Sequence, residues 1–158
     1  MKKGLLIAVI LGFFLNTNVW ASMVLFYIVE TGLPENGQIS QQSVAWENAF
    51  MDVFFDAGYI VSNYPILRME TKPSADILQY ISINFSEARN MGINFLIITQ
   101  LDYNAGSQYP AEITFSIYKT ATNEKILERQ LQGRTYRTTR EEFDDIRSII
   151  RNLTPYIR

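Results

Sequence analysis

The chain predicts an α/β fold, an α+β sandwich-like single layered domain with helices packed on a mixed sheet. Three observations predict it. Two apolar runs without alternation, Val24 to Val29 and Ile93 to Leu101, read as strands covered on both faces. Two helical stripes end on glycines, Gly58 and Gly92, and pass at once into strands. Later, Ala111 to Lys119 alternates cleanly, as a strand of an antiparallel hairpin does. The resulting order is β-α-β-α-β-β-β-α.

The first 21 residues are not counted as fold. Lys2 and Lys3 precede an apolar run from Gly4 to Leu15, and a polar stretch then ends in Val19-Trp20-Ala21. That layout is a secretory signal peptide with cleavage after Ala21. A retained anchor is the alternative, but a spanning helix needs roughly 20 apolar residues. The domain is then 22–158, expected in the periplasm or secreted, touching membrane only through the signal segment before cleavage. Removing Lys2 and Lys3 takes the formal charge from −2 to −4. A mildly acidic chain without a basic block is a poor match for nucleic acid. With no cysteine, the domain has no disulfide staples and its apolar core must suffice.

Val24 to Val29 is the first strand, and Thr31 to Ile39 a loop broken by Gly32, Pro34 and Gly37. A helix from about Ser40 to Ala57 carries Trp46, Ala49, Phe50, Val53, Phe54 and Ala57 on one stripe, and Gly58 ends it. Phe55 lies off that stripe; it reads as a second packing face, with a partner contact as the alternative. Tyr59 to Met69 is a strand in which Pro65 imposes a bulge or an edge position. A second helix opens at Pro73-Ser74, with Ser74 as N-cap and Asp76 in its first turn, and buries Ile77, Ile81, Phe85 and Ala88. Gly92 ends it, and the strand Ile93 to Leu101 follows.

Asp102 to Pro110 is a polar loop. The strand from Ala111 places Ile113, Phe115 and Ile117 on one face and Glu112, Thr114, Ser116 and Tyr118 on a wet one. A turn at Thr120 to Glu124 and a partner strand, Lys125 to Thr135, complete the hairpin. The last helix opens on Thr139-Arg140-Glu141-Glu142 as a capping box and buries Phe143, Ile146, Ile150, Leu153 and Ile157.

Catalytic residue types are scarce. Without histidine there is no Ser-His-Asp triad or histidine metal ligand, and without cysteine no thiol nucleophile or zinc cluster. No glycine loop fits a phosphate, and no cofactor or metal is expected. Glu141, Glu142, Asp144 and Asp145 sit where acids favour a helix dipole and read as structural. Glu30 and Asp102 follow strands, where ligands collect in open α/β sheets. They could hold a cation or serve as an acid/base pair in a glycosidase-like hydrolase, with ordinary loop carboxylates as the competing reading. Tyr103, Tyr109, Leu33 and Pro34 sit on or beside the two long loops and suit partner contacts. The rings could instead shield core edges.

The run EARNMGINFLIITQL, followed by AEITFSIYKTATNEKILERQ, resembles a group of small bacterial envelope domains. The group includes the amino-terminal domain of TolB, the curli secretion protein CsgG and the penicillin-binding-protein activator LpoB. Gly92, Phe95 to Ile98 and Leu101 match the group's helix-to-strand phrase. Ile117, Tyr118, Thr122, Lys125 and Leu127 match its hairpin phrase. Asn123 and Glu124 stand where the group often has a glycine, and this chain lacks both a lipid-bearing cysteine and a propeller. The resemblance implies a non-enzymatic domain that binds and regulates or assembles envelope proteins. A small-ligand or glycan-binding module, with Tyr103 and Tyr109 as stacking platforms, is the alternative.

Overall fold

A computed structural model describes residues 21–34, 37–73, 77–81 and 85–157. The elements are β1 (Met23–Thr31), α1 (Gln41–Asp56), β2 (Ile60–Asn63), β3 (Leu67–Met69), α2 (Phe85–Asn90), β4 (Ile93–Tyr103), β5 (Pro110–Lys119), β6 (Glu124–Gln132) and α3 (Thr139–Arg151). Two 3-10 turns, Ile77–Gln79 and Thr154–Tyr156, complete the described set. The strands form one six-stranded sheet in the order β2-β1-β4-β5-β6, with β3 also on β1. β1 runs parallel to β2, β3 and β4, whereas β4–β5 and β5–β6 are antiparallel. The expected mixed sheet is present, and the expected order holds except that its second strand is split into β2 and β3.

Alternation along β1 feeds two cores. Val24, Phe26 and Ile28 meet Trp46, Phe50 and Phe54 of α1 and Ile146 and Ile150 of α3. Leu25, Tyr27 and Val29 meet Ile77, Ile81 and Ala88 on the other face. β1 is therefore buried on both sides, which its unalternating apolar run requires. Phe26 and Phe50 stack at 5.0 Å, and Phe50 is fully buried. Truncating such a ring to alanine costs about 3–5 kcal/mol.

The helix ends follow local rules. Ser40 Oγ accepts from the Gln42 N–H at 3.2 Å and caps α1. Gly58 and Gly92 adopt φ of 86° and 78° directly after α1 and α2. For α3 the cap is Thr138 rather than Thr139: its Oγ1 accepts from the Glu141 N–H at 3.1 Å. Glu141 reaches back to the Arg137 N–H, so the reciprocal pair lies one residue earlier than the sequence pattern suggests.

Other expectations need correction. The strand from Tyr59 to Met69 is two short strands, because Pro65 has no N–H to donate and strand pairing lapses between Asn63 and Leu67. The second helix is not continuous. Ile77–Gln79 is a 3-10 turn and Tyr80 and Ile81 are non-helical, while Phe85–Asn90 is α-helical. Ser74 and Asp76 lie outside the described residues, as does the signal segment up to Trp20. The hairpin's second face is not uniformly wet. Ser116 and Tyr118 are buried there, Tyr118 against Phe85 of α2. Phe55 has no second packing face: it is 75% exposed on α1. No described helix is long and apolar enough to cross a membrane.

Candidate loop-end contact site

The parallel strands β1 and β4 end on the same side of the sheet, beneath the loops 32–40 and 104–109. Glu30 and Asp102 both lie there, but the sheet separates them. Glu30 is registered with Leu101, and Thr31 with Asp102. Adjacent strand positions point to opposite faces, so the carboxylates project to opposite sides. Glu30 faces α1, and Asp102 faces Lys72. The acid/base pair that a hydrolase would need is not assembled.

Glu30 is fully buried and fully engaged. Its Oε1 accepts from the Ser40 N–H at 2.8 Å, and its Oε2 accepts from Arg68 Nε at 2.6 Å and from Arg68 Nη2. Arg68 also donates to the carbonyls of Gln38 at 2.5 Å and Pro34 at 3.3 Å. A buried carboxylate with this many donors is satisfied in place. Glu30 is thus a brace for the loop and the α1 cap, not an exposed contact. Arg68 was missed in the sequence. Its signal was a lone guanidinium inside an otherwise apolar strand segment, Ile66-Leu67-Arg68-Met69.

Asp102 sits directly opposite Glu112 across β4 and β5. Lys72 Nζ lies 2.5 Å from Asp102 Oδ2 and also holds Glu112, while Thr31 donates to Asp102 Oδ1. The hydrogen bonds to Asp102 and then Glu112 raise the Lys72 pKa above its usual value. Thr31, Gly32, Lys72, Asp102 and Glu112 line an open cleft of about 390 Å³. Among the described residues, no group of His, Cys, Asp and Glu is arranged to hold a metal ion.

Asp102 and Tyr103 belong to β4, so the polar loop is shorter than the sequence suggests. Tyr103 is buried, and its ring joins the α1-side core. Its hydroxyl donates to Ser40 Oγ at 3.2 Å and is hydrogen-bonded to Ser43 Oγ at 3.2 Å. Burial raises its pKa, and the two serine contacts oppose that rise. The ring therefore shields the core and cannot be a stacking platform. Tyr109 is partly exposed and meets Tyr136 edge-on at 5.8 Å.

Leu33 and Pro34 remain accessible on the braced loop. With Gln38, Arg68, Tyr103 and Gln108 they line a second open cleft of about 390 Å³. Gly32 lets this loop leave β1. Its φ is 81°, and a Cβ there would lie 2.0 Å from the Tyr103 carbonyl oxygen. Of the residues expected at the loop end, Glu30 and Tyr103 are buried, while Leu33, Pro34, Asp102 and Tyr109 keep some exposure.

No family model matches the chain, and no curated protein matches it. Solved structures do. PelC from Paraburkholderia phytofirmans, described as a dodecamer, is 14% identical and covers 87% of this chain and 88% of its own, with a TM-score of 0.50. A single-residue variant of that protein gives a TM-score of 0.51 at 12% identity, over 87% of this chain and 90% of its own. TolB from Acinetobacter baumannii is also similar, at 16% identity over 87% of this chain and 27% of its own, with a TM-score of 0.45. At the level of fold the chain is similar to PelC, over most of both chains.

Proposed function

We propose that this chain is an exported, non-enzymatic protein-binding domain of the bacterial cell envelope, whose contact surface is the loop end around Leu33, Pro34 and Gln108. The observation that carries this reading is the bracing of the loop. Arg68 joins Glu30 to the carbonyls of Pro34 and Gln38. Backbone already tied down at Pro34 and Gln38 loses less entropy when a partner docks. Leu33 and Pro34 are thus offered as apolar contacts beside that anchored backbone. The signal-peptide pattern before Ser22 supports export. PelC, which shares the fold, is a dodecamer, so in that protein the fold makes contacts between proteins.

The test is co-purification of the tagged full chain after crosslinking in intact bacteria. A discrete partner should be retained by the wild type and by Thr122→Asp at the opposite end of the sheet. Leu33→Asp and Gln108→Asp should lose it. Equal retention by all variants would move the contact surface elsewhere.

A further inference from the structure

The helices α1 and α3 both begin at the loop end, and their first turns bound a cleft of about 240 Å³. Gln41, Gln108, Tyr109, Tyr136, Thr139 and Glu142 contribute to its lining. Small-molecule sites commonly measure about 300–1,000 Å³. This one is nearer the size of a single long side chain.

Glu142 gives the cleft its chemistry. It is 6% exposed, and among the described residues no hydrogen bond or ion pair engages its carboxylate. Its acidic neighbours are committed: Glu141 holds the Arg137 N–H, and Asp145 holds Arg134 at 2.9 Å and the Tyr136 hydroxyl at 2.7 Å. Burial alone pushes the Glu142 pKa up, in keeping with a carboxylate that has lost part of its water and gained no donor. A partly desolvated, unpaired carboxylate is best compensated by a cation with hydrogen-bond donors.

The helix ends make the cleft a weaker lure for anions. Ser40 Oγ occupies the Gln42 N–H and Thr138 Oγ1 the Glu141 N–H. The rings of Tyr109 and Tyr136 add faces and edges suited to a cation. Arg137 is an exposed cation among the lining residues and must be tested as a competitor.

We propose that this cleft is a receptor for one basic side chain, lysyl or arginyl, presented by the protein partner, with Glu142 as its counter-ion and Tyr109 and Tyr136 beside it. The assignment rests on the protein-binding reading and names the chemistry of the partner. It extends the contact surface from Leu33 and Pro34 across Gln108, which lines both clefts.

The test is an NMR titration of the full chain with N-acetyl-arginine amide and N-acetyl-lysine amide. N-acetyl-citrulline amide serves as the neutral isostere and chitotriose as a sugar probe. The cationic probes should shift the amides of Gln41, Gln108, Tyr136 and Thr139. Citrulline, or Glu142→Gln, should weaken binding by roughly tenfold or more. Arg137→Ala should leave binding intact or tighten it.

Equal binding of citrulline, indifference to Glu142→Gln, or shifts from chitotriose alone would overturn the proposal. Binding seen only after Arg137→Ala would also overturn it, because Arg137 would then occupy the site. A partner that co-purifies normally with Glu142→Gln, while no cationic probe binds, refutes the receptor and leaves the protein-binding reading standing. Probe binding without any co-purified partner supports the receptor and refutes the broader reading.

Discussion

Arg68 and Glu30 form a buried ion pair that fastens the end of β1 to the loop above it. Their side chains are 6% and 0% exposed, and the guanidinium continues to the carbonyls of Pro34 and Gln38. Arg68→Met should therefore cost about 3–5 kcal/mol, because a carboxylate stays buried without its partner. The double variant Glu30→Met with Arg68→Met should recover part of that loss. Urea unfolding of the single and double variants measures both.

Lys72 holds Asp102 and Glu112 together across two strands, at a site where its own side chain is 52% exposed. Lys72→Met should cost only about 0.2–1 kcal/mol, and added salt should reduce the difference. The pH dependence has a definite sign. The folded pKa lies above the ordinary 10.5, so the contribution is complete below that pH. It disappears as pH rises through the folded value. Thermal unfolding of wild type and Lys72→Met between neutral and strongly alkaline pH should converge.

Gly32 is where the loop turns away from β1 at positive φ, against the Tyr103 carbonyl. Gly32→Ala should destabilise by more than about 1 kcal/mol, since both the φ and the close approach resist a Cβ. Amide exchange in the loop 32–40 should quicken in the same variant, showing that the brace and the turn act together.

Glu142→Gln should fold and be at least as stable as the wild type at neutral pH. Burial raises the folded pKa above the usual 4.5. The folded state then holds its proton more tightly, so the wild type loses stability as pH rises through that window. The glutamine variant escapes this loss. The advantage of Glu142→Gln should vanish in acid, which paired unfolding curves on either side of the window would reveal.

Thr138→Ala should cost about 1 kcal/mol, as loss of a helix cap does. Thr139→Ala should cost much less, because the side-chain cap comes from Thr138. Comparing the two melting temperatures decides which threonine starts α3.

Much of the fold was legible because its signals are local. The stripe from Trp46 to Phe54, the glycines after α1 and α2, and the apolar run of β4 each determine an element by periodicity or φ preference. The break after Gln79 was harder to see, since Ile77, Ile81, Phe85 and Ala88 keep a helical spacing across it. The site was less legible, because a carboxylate's role depends on what crosses to meet it. Glu30 meets Arg68 from 38 residues away. Asp102 faces Glu112 only because of strand register. Glu142 looked like its acidic neighbours in the first turns of α3, and only packing against α1 distinguishes it.

The most direct measurement of the central claim is site-specific photocrosslinking in intact bacteria, with probes at Leu33 and Gln108 and a control at Thr122 in the β5–β6 turn. The account predicts a discrete protein adduct from both loop probes and none from the control. A folded, exported protein that gives no adduct from the loops, or the same adduct from Thr122, would contradict it.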